Sequence, residues 1–249
     1  RFSAMTGANP SAQNRSSAVM QQRADPRDAL DYFPTPPWAT RALCEWLAAH
    51  LAEPLEIQRV WEPACGELHM ARPLREYFAH VHATDVARYT PDHGICDFLL
   101  DGPGHGEFDW IITNPPFAIG DWFVQKAIER ARRGVAMLVR SSFAEGAERY
   151  SSLFTDDDRP AYELVFCERV PMLKGRLIQA GKPDPFNLDE KGEPRKVSSA
   201  TSYVWMIWLP GNHDTRKRWL KPGTRRALER EGDYPDYTHL FPEPKGSLL

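Results

Sequence analysis

The feature that most restricts the fold of this chain is an alternation of short apolar segments with segments of helical periodicity. Apolar runs of strand length occur at 59–64, 81–86, 108–113 and 135–140, and helical patterns occur at 38–51, 70–78 and 122–133. A further helix is predicted at 145–154, and strands are predicted at 162–170 and 201–209. Strands that alternate with helices form βαβ units, so the sequence predicts an α/β fold with a mostly parallel, doubly wound sheet.

The remaining segments lack this periodicity and outline the domain organisation. A chain of 249 residues suffices for one substantial α/β domain and a small appendage. Residues 1–28 are polar, so we expect a mobile N-terminal arm, followed by the main domain at 29–210. A long aperiodic insertion at 171–200 separates the last two predicted strands of that domain. Residues 211–249 are expected to form a basic C-terminal extension.

Composition disfavours several classes of protein. The longest apolar runs, such as 135–139, are far shorter than the ~20 residues of a membrane helix, so no membrane association is expected. The N-terminus lacks the hydrophobic segment of a secretion signal, which favours a cytoplasmic location. No C-x-x-C pair occurs among the cysteines, so neither a disulfide framework nor a metal site is predicted. The net charge is −3, so any affinity for nucleic acid has to come from local basic patches.

The sharpest motif is Asn114-Pro115-Pro116-Phe117, which directly follows the apolar run at 108–113. It therefore lies at the carboxyl end of a strand, where open α/β sheets place their sites. The exocyclic amino group of adenine or cytosine is a poor nucleophile and needs positioned hydrogen-bond acceptors. The Asn114 side-chain oxygen and the Pro115 carbonyl can accept its two N–H bonds, the prolines fix the loop, and Phe117 can stack on an extruded base. Asn-Pro-Pro is also a common turn sequence.

A second motif, Trp61-Glu62-Pro63-Ala64-Cys65-Gly66-Glu67, spans the end of the first predicted strand and the turn that follows it. Gly66 permits a tight turn and a close approach of the backbone to a nucleoside. Glu62 can accept a hydrogen bond near the amino-acid part of a cofactor. Asp85 lies 23 residues after Glu62, near the interval of about 20 residues at which an acidic side chain meets a ribose in dinucleotide folds. A loop that merely contains glycine is the alternative interpretation.

Two weaker motifs complete the set. Asp97-Phe98 pairs an acceptor with an aromatic ring, which suits the amino group and the ring of a cofactor's adenine. In the proline-rich loop at 32–37, Thr35 can hold a methionine carboxylate and Phe33 can form an apolar wall. Surface aspartates and proline-rich linkers are common, so each of these motifs alone is more often structural than functional.

The order of the four motifs resembles that of the DNA amino-methyltransferases in their γ arrangement. The chain looks most like the small, solitary adenine methyltransferases of phages and prophages, over residues from about 31 to 209. The resemblance implies a Rossmann-like seven-stranded sheet of the class I methyltransferases, S-adenosylmethionine as the methyl donor, and DNA as the partner. It implies cofactor contacts from Phe33, Thr35, Glu62, Ala64, Gly66, Asp85, Asp97 and Phe98. It implies target contacts from Asn114, Pro115, Pro116 and Phe117, with the loop at 141–146 beside the target pocket.

The resemblance also places target recognition after the catalytic motif, which favours the insertion at 171–200. Scattered cations in this insertion suit phosphate contacts; they are Lys174, Arg176, Lys182, Arg195 and Lys196. The basic cluster between Arg216 and Arg230 is the second candidate, and an ordinary solvated surface is the alternative for that cluster.

Other functions stay open at this stage. Cytosine N4 methylation needs the same acceptors, although its motif more often begins with Ser. Release-factor glutamine methyltransferases share Asn-Pro-Pro and an aromatic, but their glycine loop usually begins with Asp-Leu-Gly. Ribosomal RNA methylation is a further option. Leu68 replaces the second glycine that the family commonly carries, and its side chain is expected to crowd the turn or oppose a positive φ. A noncatalytic nucleic-acid-binding relative with impaired cofactor binding is therefore also open. The oligomeric state stays open between monomer and dimer.

Overall fold

The computed structural model describes residues 31–241 except 101, 103 and 105. The predicted arm at 1–28 and the end of the chain at 242–249 lie outside the described residues. Within the described part, no helix is long and apolar enough to cross a membrane.

Most of the described strands belong to one central sheet. In chain order the strands are β1 (Arg59–Glu62), β2 (His80–Asp85), β3 (Gly94–Ile95), β4 (Phe108–Thr113), β5 (Ala131–Arg140), β6 (Tyr162–Phe166), β7 (Pro183–Leu188), β8 (Pro194–Lys196), β9 (Tyr203–Trp208) and β10 (Arg216–Leu220). β7 and β8 form a separate hairpin, and the other eight form one sheet in the order β10-β6-β9-β5-β4-β1-β2-β3. β9 is antiparallel to both of its neighbours, and the other pairings in this sheet are parallel. The predicted mostly parallel sheet is confirmed.

Helices cover both faces of the sheet, as predicted. They are α1 (Pro37–Leu51), α2 (Ala71–Leu74), α3 (Gly120–Arg130), α4 (Ala147–Leu153) and α5 (Thr224–Leu228). α1, α2 and α5 pack together on one face, whereas α3 and α4 pack on the other. The helix predicted at 70–78 is regular only over α2. Hydrogen bonds from Arg75 N to Ala71 O and from Phe78 N to Leu74 O continue the helical turns to Phe78.

The central strand β5 shows why the apolar runs are continuous. Ala136 and Leu138 pack into the core on the α1 face, and Val135, Met137 and Val139 pack into the core on the α3 face. Successive side chains of a strand point to opposite faces. A strand buried on both faces therefore carries apolar residues at every position, which the run at 135–140 reflects.

The sheet has eight strands rather than the predicted seven. The extra edge strand, β10, runs parallel to β6 and lies in the segment expected as a C-terminal extension. Arg216, Lys217 and Arg218 give β10 no apolar alternation, because an edge strand faces solvent. Charged side chains on an edge strand also disfavour pairing with the strands of other chains. The two-residue strand β3 also lacked a recognisable pattern.

The insertion at 171–200 is folded, and the expectation of an irregular segment was wrong. β7 and β8 form an antiparallel hairpin with a register shift between Pro183 and Leu188. Residues before the hairpin join the protein interior, since Met172, Leu177 and Ile178 are buried. Most side chains of the hairpin face solvent, so its sequence carries prolines and charges. It therefore lacks the alternation of apolar and polar residues that identifies a strand.

Candidate functional site

A cavity of about 660 Å³ opens at the carboxyl ends of β1, β2 and β4. The strand order reverses between β1 and β4, and this switch point is where doubly wound sheets bind ligands. Eleven of the twelve predicted site residues line the cavity; they are Phe33, Thr35, Glu62, Ala64, Asp85, Asp97, Phe98, Asn114, Pro115, Pro116 and Phe117. Gly66, the twelfth, lies in the adjoining turn and donates its N–H to Asp85 Oδ2 at 2.9 Å.

The turn after β1 requires glycine at one position and strains leucine at another. Gly66 has φ +49°, and a Cβ there would lie 2.4 Å from the ring of Tyr32. Leu68 has φ +69°, a left-handed conformation that costs a residue with a Cβ roughly 1–2 kcal/mol. The Leu68 side chain is buried with Cys65, Ala71 and Ala83. It therefore packs into the interior and does not line the cavity, and its positive φ is the backbone strain expected for this position from the sequence.

Asp85 connects this turn to β2. Its Oδ2 accepts the N–H of Gly66, and its Oδ1 accepts the N–H of Ala87 at 3.1 Å. Burial raises the pKa of this carboxyl, while the backbone donors lower it. A carboxylate has about four lone-pair sites, so two backbone bonds leave capacity for further donors at the cavity wall.

Three buried polar atoms at the cavity lack a hydrogen-bond partner within the described structure, and two of them belong to Glu62 and His69. Glu62 is 2% exposed and its Oε2 has no donor. Burial raises the pKa of Glu62 well above its usual value, and the nearby charge of Asp85 raises it further. His69 Nε2 also makes no hydrogen bond, although Glu67 Oε2 lies 3.4 Å away. Buried polar groups are normally satisfied, so this part of the cavity suits a ligand with polar or cationic groups.

Asn114 presents an unpartnered acceptor to the same cavity. Its Nδ2 donates to the Phe33 carbonyl at 2.8 Å and to Thr35 Oγ1 at 3.1 Å, and it lies 3.5 Å from Met172 Sδ. The Phe33 carbonyl can only accept, so the amide orientation follows from the hydrogen-bond network. Asn114 Oδ1 is buried without a partner. The proline-rich loop thus fixes the Asn114 amide and leaves its oxygen available.

Aromatic and basic side chains surround Phe117. The Arg140 guanidinium lies over its ring, 4.3 Å from the ring centre. The rings of Phe33 and Tyr203 lie 4.9 Å and 6.1 Å away from the ring of Phe117, centre to centre. The backbone N–H of Phe117 donates to the Asp31 carboxylate. A base that stacks on Phe117 therefore has to share the ring with Arg140.

Asp97 and Phe98 also line the cavity. Asp97 Oδ1 accepts the N–H of Leu99 at 3.0 Å. Phe98 is 2% exposed, and its ring packs against Trp61 and Phe123 at 5.0 Å and 4.9 Å. Phe98 therefore forms the floor of the cavity and belongs largely to the core, so it offers a ligand only a small part of its ring.

Some residues at the cavity were not assigned a role from the sequence. Tyr32, His69, Met70, Tyr89, Arg140 and Lys174 all line it. Tyr32 belongs to the proline-rich loop at 32–37 and His69 follows the motif that contains Gly66, and this proximity was the available signal. Arg140 ends a predicted strand, and Lys174 was assigned only to phosphate contacts of the insertion. The loop at 141–146 follows β5 but contributes no lining residue. No group of three or more metal-ligating side chains occurs among the described residues.

The fold is shared with known methyltransferases. No family model matches the sequence, and no curated protein matches it. A Listeria monocytogenes class I S-adenosylmethionine-dependent methyltransferase matches with a TM-score of 0.53 and 10% identity, over 87% of this chain and 73% of that chain. A Pyrococcus horikoshii protein assigned as an RNA methyltransferase matches with a TM-score of 0.51 and 16% identity, over 83% of this chain and 100% of that chain.

A third likeness is to the methyltransferase subunit of a type I restriction-modification system from Streptococcus thermophilus. Its TM-score is 0.50 and its identity is 8%, over 78% of this chain and 51% of that chain. Together these likenesses establish that the chain has the fold of the class I methyltransferases.

Proposed function

We propose that this protein transfers a methyl group from S-adenosylmethionine to the exocyclic amino group of a DNA base, with adenine N6 as the target. The observation that carries the proposal is the buried, unpartnered oxygen of Asn114 in a cavity at the switch point of a methyltransferase fold. The Pro115 carbonyl follows it in the same loop. Two acceptors at one point match the two N–H bonds of an exocyclic amino group.

The residues at the β1 and β2 ends fit the cofactor. The unpartnered carboxyl of Glu62 suits the α-ammonium group of an amino acid, which would replace the missing partner of its Oε2. The remaining lone pairs of Asp85 suit ribose hydroxyls. When bound, S-adenosylmethionine supplies a methyl group on a positively charged sulfur. Thr35 and the backbone of the proline-rich loop are assigned to the methionine carboxylate, and Phe33 to the apolar wall.

Asn114 and Pro115 act on the substrate amine. Acceptance of its two N–H bonds draws electron density onto nitrogen and aims the lone pair, which removes the need for a strong base. The loop is rigid because Pro115 and Pro116 have fixed φ and Asn114 is bonded to Phe33 and Thr35. The acceptors are therefore positioned before the base arrives, which is the condition for stabilising the transition state.

The charges at the cavity mouth suit the phosphates of an extruded nucleotide. Arg140, at the end of β5, and Lys174, in the insertion, both line the cavity. A base reaches such a site only after rotation out of the duplex, which brings its flanking phosphates to the mouth. We assign catalysis to the main domain, whose sheet extends past 210 to include β10. We assign target recognition to the segment at 171–200, in which Arg176 links Lys174 at the cavity to Asp184 of the hairpin.

A direct test incubates the purified protein with S-adenosylmethionine that carries a labelled methyl group. Duplex DNA, RNA or protein is supplied as the substrate. We expect the label on DNA, and modification-sensitive sequencing of DNA from cells that express the protein should show N6-methyladenine at one short sequence. Label on N4 of cytosine would correct the target base. Label on RNA or protein alone would contradict the proposal, and absence of cofactor binding in calorimetry would favour a noncatalytic nucleic-acid-binding protein.

A further inference from the structure

Phe186 on β7 is an exposed aromatic side chain that its neighbours hold in place. It is 56% exposed. The Arg176 guanidinium carbon lies 5.6 Å from the ring centre, and the ring of Tyr237 meets it edge-on at 5.7 Å. Support from two sides fixes the ring while much of its surface stays in solvent. A preorganised exposed ring loses little conformational entropy when it makes a contact.

A partly buried ion pair connects the segment of this ring to the mouth of the cavity. Arg176 Nη2 lies 2.6 Å from Asp184 Oδ2, and the Asp184 side chain is 2% exposed. Arg176 also donates from Nη1 to the carbonyl of Lys174 at 3.2 Å, and Lys174 lines the cavity. The next residue, Gly175, donates its N–H to the carbonyl of Tyr32 at 2.9 Å. Phe186 therefore keeps a set position relative to the cavity mouth.

Charge around the hairpin suits a polyanion at its base. No acidic side chain of the described residues forms an ion pair with Lys174, Lys182 or Lys196. Lys196 pairs with Pro183 where the hairpin begins, next to the segment that carries Lys174. The acidic residue Asp189 lies at the far turn, where it accepts backbone N–H groups. Phosphates of a nucleic acid are favoured at the base of the hairpin and not at its tip.

We propose that Phe186 enters the base stack of duplex DNA and fills the gap that the target nucleotide leaves when it rotates into the cavity. This inference rests on the proposed function. Removal of a base from a duplex leaves its two neighbours unstacked, and an apolar or aromatic side chain between them restores stacking. Every base has a flat face, so this contact stabilises the open duplex without reading sequence. Arg176 and Asp184 are positioning residues that hold the ring at the required place.

The test compares Phe186→Ala with the wild type on two duplexes that carry the methylation site found by sequencing. One duplex is fully paired, and the other has the target base mispaired, which lowers the cost of extrusion. On the paired duplex we expect Phe186→Ala to lower kcat/KM roughly 10- to 100-fold, as for loss of one aromatic stacking contact. On the mispaired duplex the loss should shrink several-fold, and Phe186→Leu should recover much of the activity on the paired duplex. Tyr150→Ala, at an exposed aromatic on α4, is the matched control and should keep the wild-type activity on both duplexes.

Each other outcome overturns the inference. Equal activity of Phe186→Ala and wild type on the paired duplex removes the role. An equal loss on both duplexes, with no recovery in Phe186→Leu, identifies a general DNA contact instead. A wild type that modifies only single strands has no stack to fill, although the proposed function would stand. A wild type that transfers no methyl group to DNA overturns both proposals. Thermal unfolding and cofactor titration of each variant exclude loss of the fold.

Discussion

The cavity at the switch point and the β7–β8 hairpin satisfy their polar groups in opposite ways. In the cavity, Glu62 and Asn114 keep buried oxygens without partners, and Leu68 holds a left-handed backbone. In the hairpin, Asp189 accepts backbone bonds and closes its own turn, while Phe186 is exposed. Unsatisfied buried groups suit a ligand, whereas the carboxylates Asp184 and Asp189 of the hairpin have partners and the hairpin offers an outer surface. The two regions should therefore respond differently to matched substitutions.

The largest effect is expected at Asn114. Asn114→Ala removes the acceptor for the substrate amine, and loss of one positioned partner in a transition state lowers kcat on the order of 10²–10³-fold. The dissociation constant of S-adenosylmethionine should change only a few-fold. Steady-state kinetics and calorimetry measure the two quantities, with Asn212→Ala, in an exposed loop after β9, as the control. Unaltered turnover in Asn114→Ala would refute the acceptor role.

A smaller effect, on binding alone, is expected at Asp85. Asp85→Ala removes the acceptor assigned to the ribose, and a hydrogen bond to a charged acceptor contributes about 1.5–3 kcal/mol. Calorimetric titration should show an affinity for S-adenosylmethionine weaker by roughly 10- to 100-fold. Asp189→Ala is the matched variant in the hairpin, and it should leave that affinity at the wild-type value. Similar affinities for all three proteins would contradict the ribose assignment.

Glu62→Gln should raise the thermal stability of the protein without cofactor and weaken its binding of S-adenosylmethionine. Burial raises the folded-state pKa of Glu62 above its value of 4.5 in the unfolded chain. The folded wild type therefore binds this proton more tightly, and its stability falls as pH rises from about 4.5 towards the folded pKa. Glutamine lacks this dependence. Without cofactor, its advantage in Tm should grow from pH 5 to pH 8 and reach several degrees, since a buried unsatisfied group costs about 1–3 kcal/mol.

The control for this prediction is Glu190→Gln, at an exposed position of the hairpin turn. Its Tm should follow the wild type at both pH values. Weaker binding of S-adenosylmethionine to Glu62→Gln is expected at the same time, because the substitution removes the negative charge. A constant difference in Tm across pH would show that Glu62 does not titrate on folding.

The smallest effect separates strain from packing at Leu68. Leu68→Ala loses buried contacts and keeps the left-handed backbone, and such a change costs about 2–5 kcal/mol. Leu68→Gly loses the same contacts but relieves the backbone, so it should be more stable than Leu68→Ala by about 1 kcal/mol. Urea unfolding gives both values, and Leu188→Ala, 52% exposed in the hairpin, should stay within roughly 0.5 kcal/mol of the wild type. A less stable glycine variant would show that the turn is unstrained.

Prediction from sequence succeeded where segments are buried on both sides. β1, β4, β6 and β9 fall within the predicted segments, whereas β2 begins one residue before its segment and β5 begins at Ala131, inside the predicted helix at 122–133. The sequence did not predict the edge strands β3 and β10 or the hairpin strands β7 and β8, because most of their residues face solvent and carry no apolar alternation. Hydrophobic periodicity reports burial, so it identifies the interior of a sheet better than its edges.

The same division holds at the site. Motifs at strand ends indicated which residues could meet, since the carboxyl ends of parallel strands share one edge of the sheet. The sequence did not place His69, Arg140 or Lys174 at the cavity, because their positions there depend on how the turn after β1, the end of β5 and the insertion pack.

The sequence by itself determined the class of fold, the burial of the central strands and the chemical types gathered at their ends, because periodicity and motif order are local properties. Only the tertiary structure decided that Asn114 Nδ2 is bonded to Phe33 and Thr35 while its oxygen has no partner. It also decided that Leu68 packs inward and that Arg176 and Asp184 hold Phe186 beside the cavity. These properties depend on contacts between segments far apart in the chain, which no local pattern records.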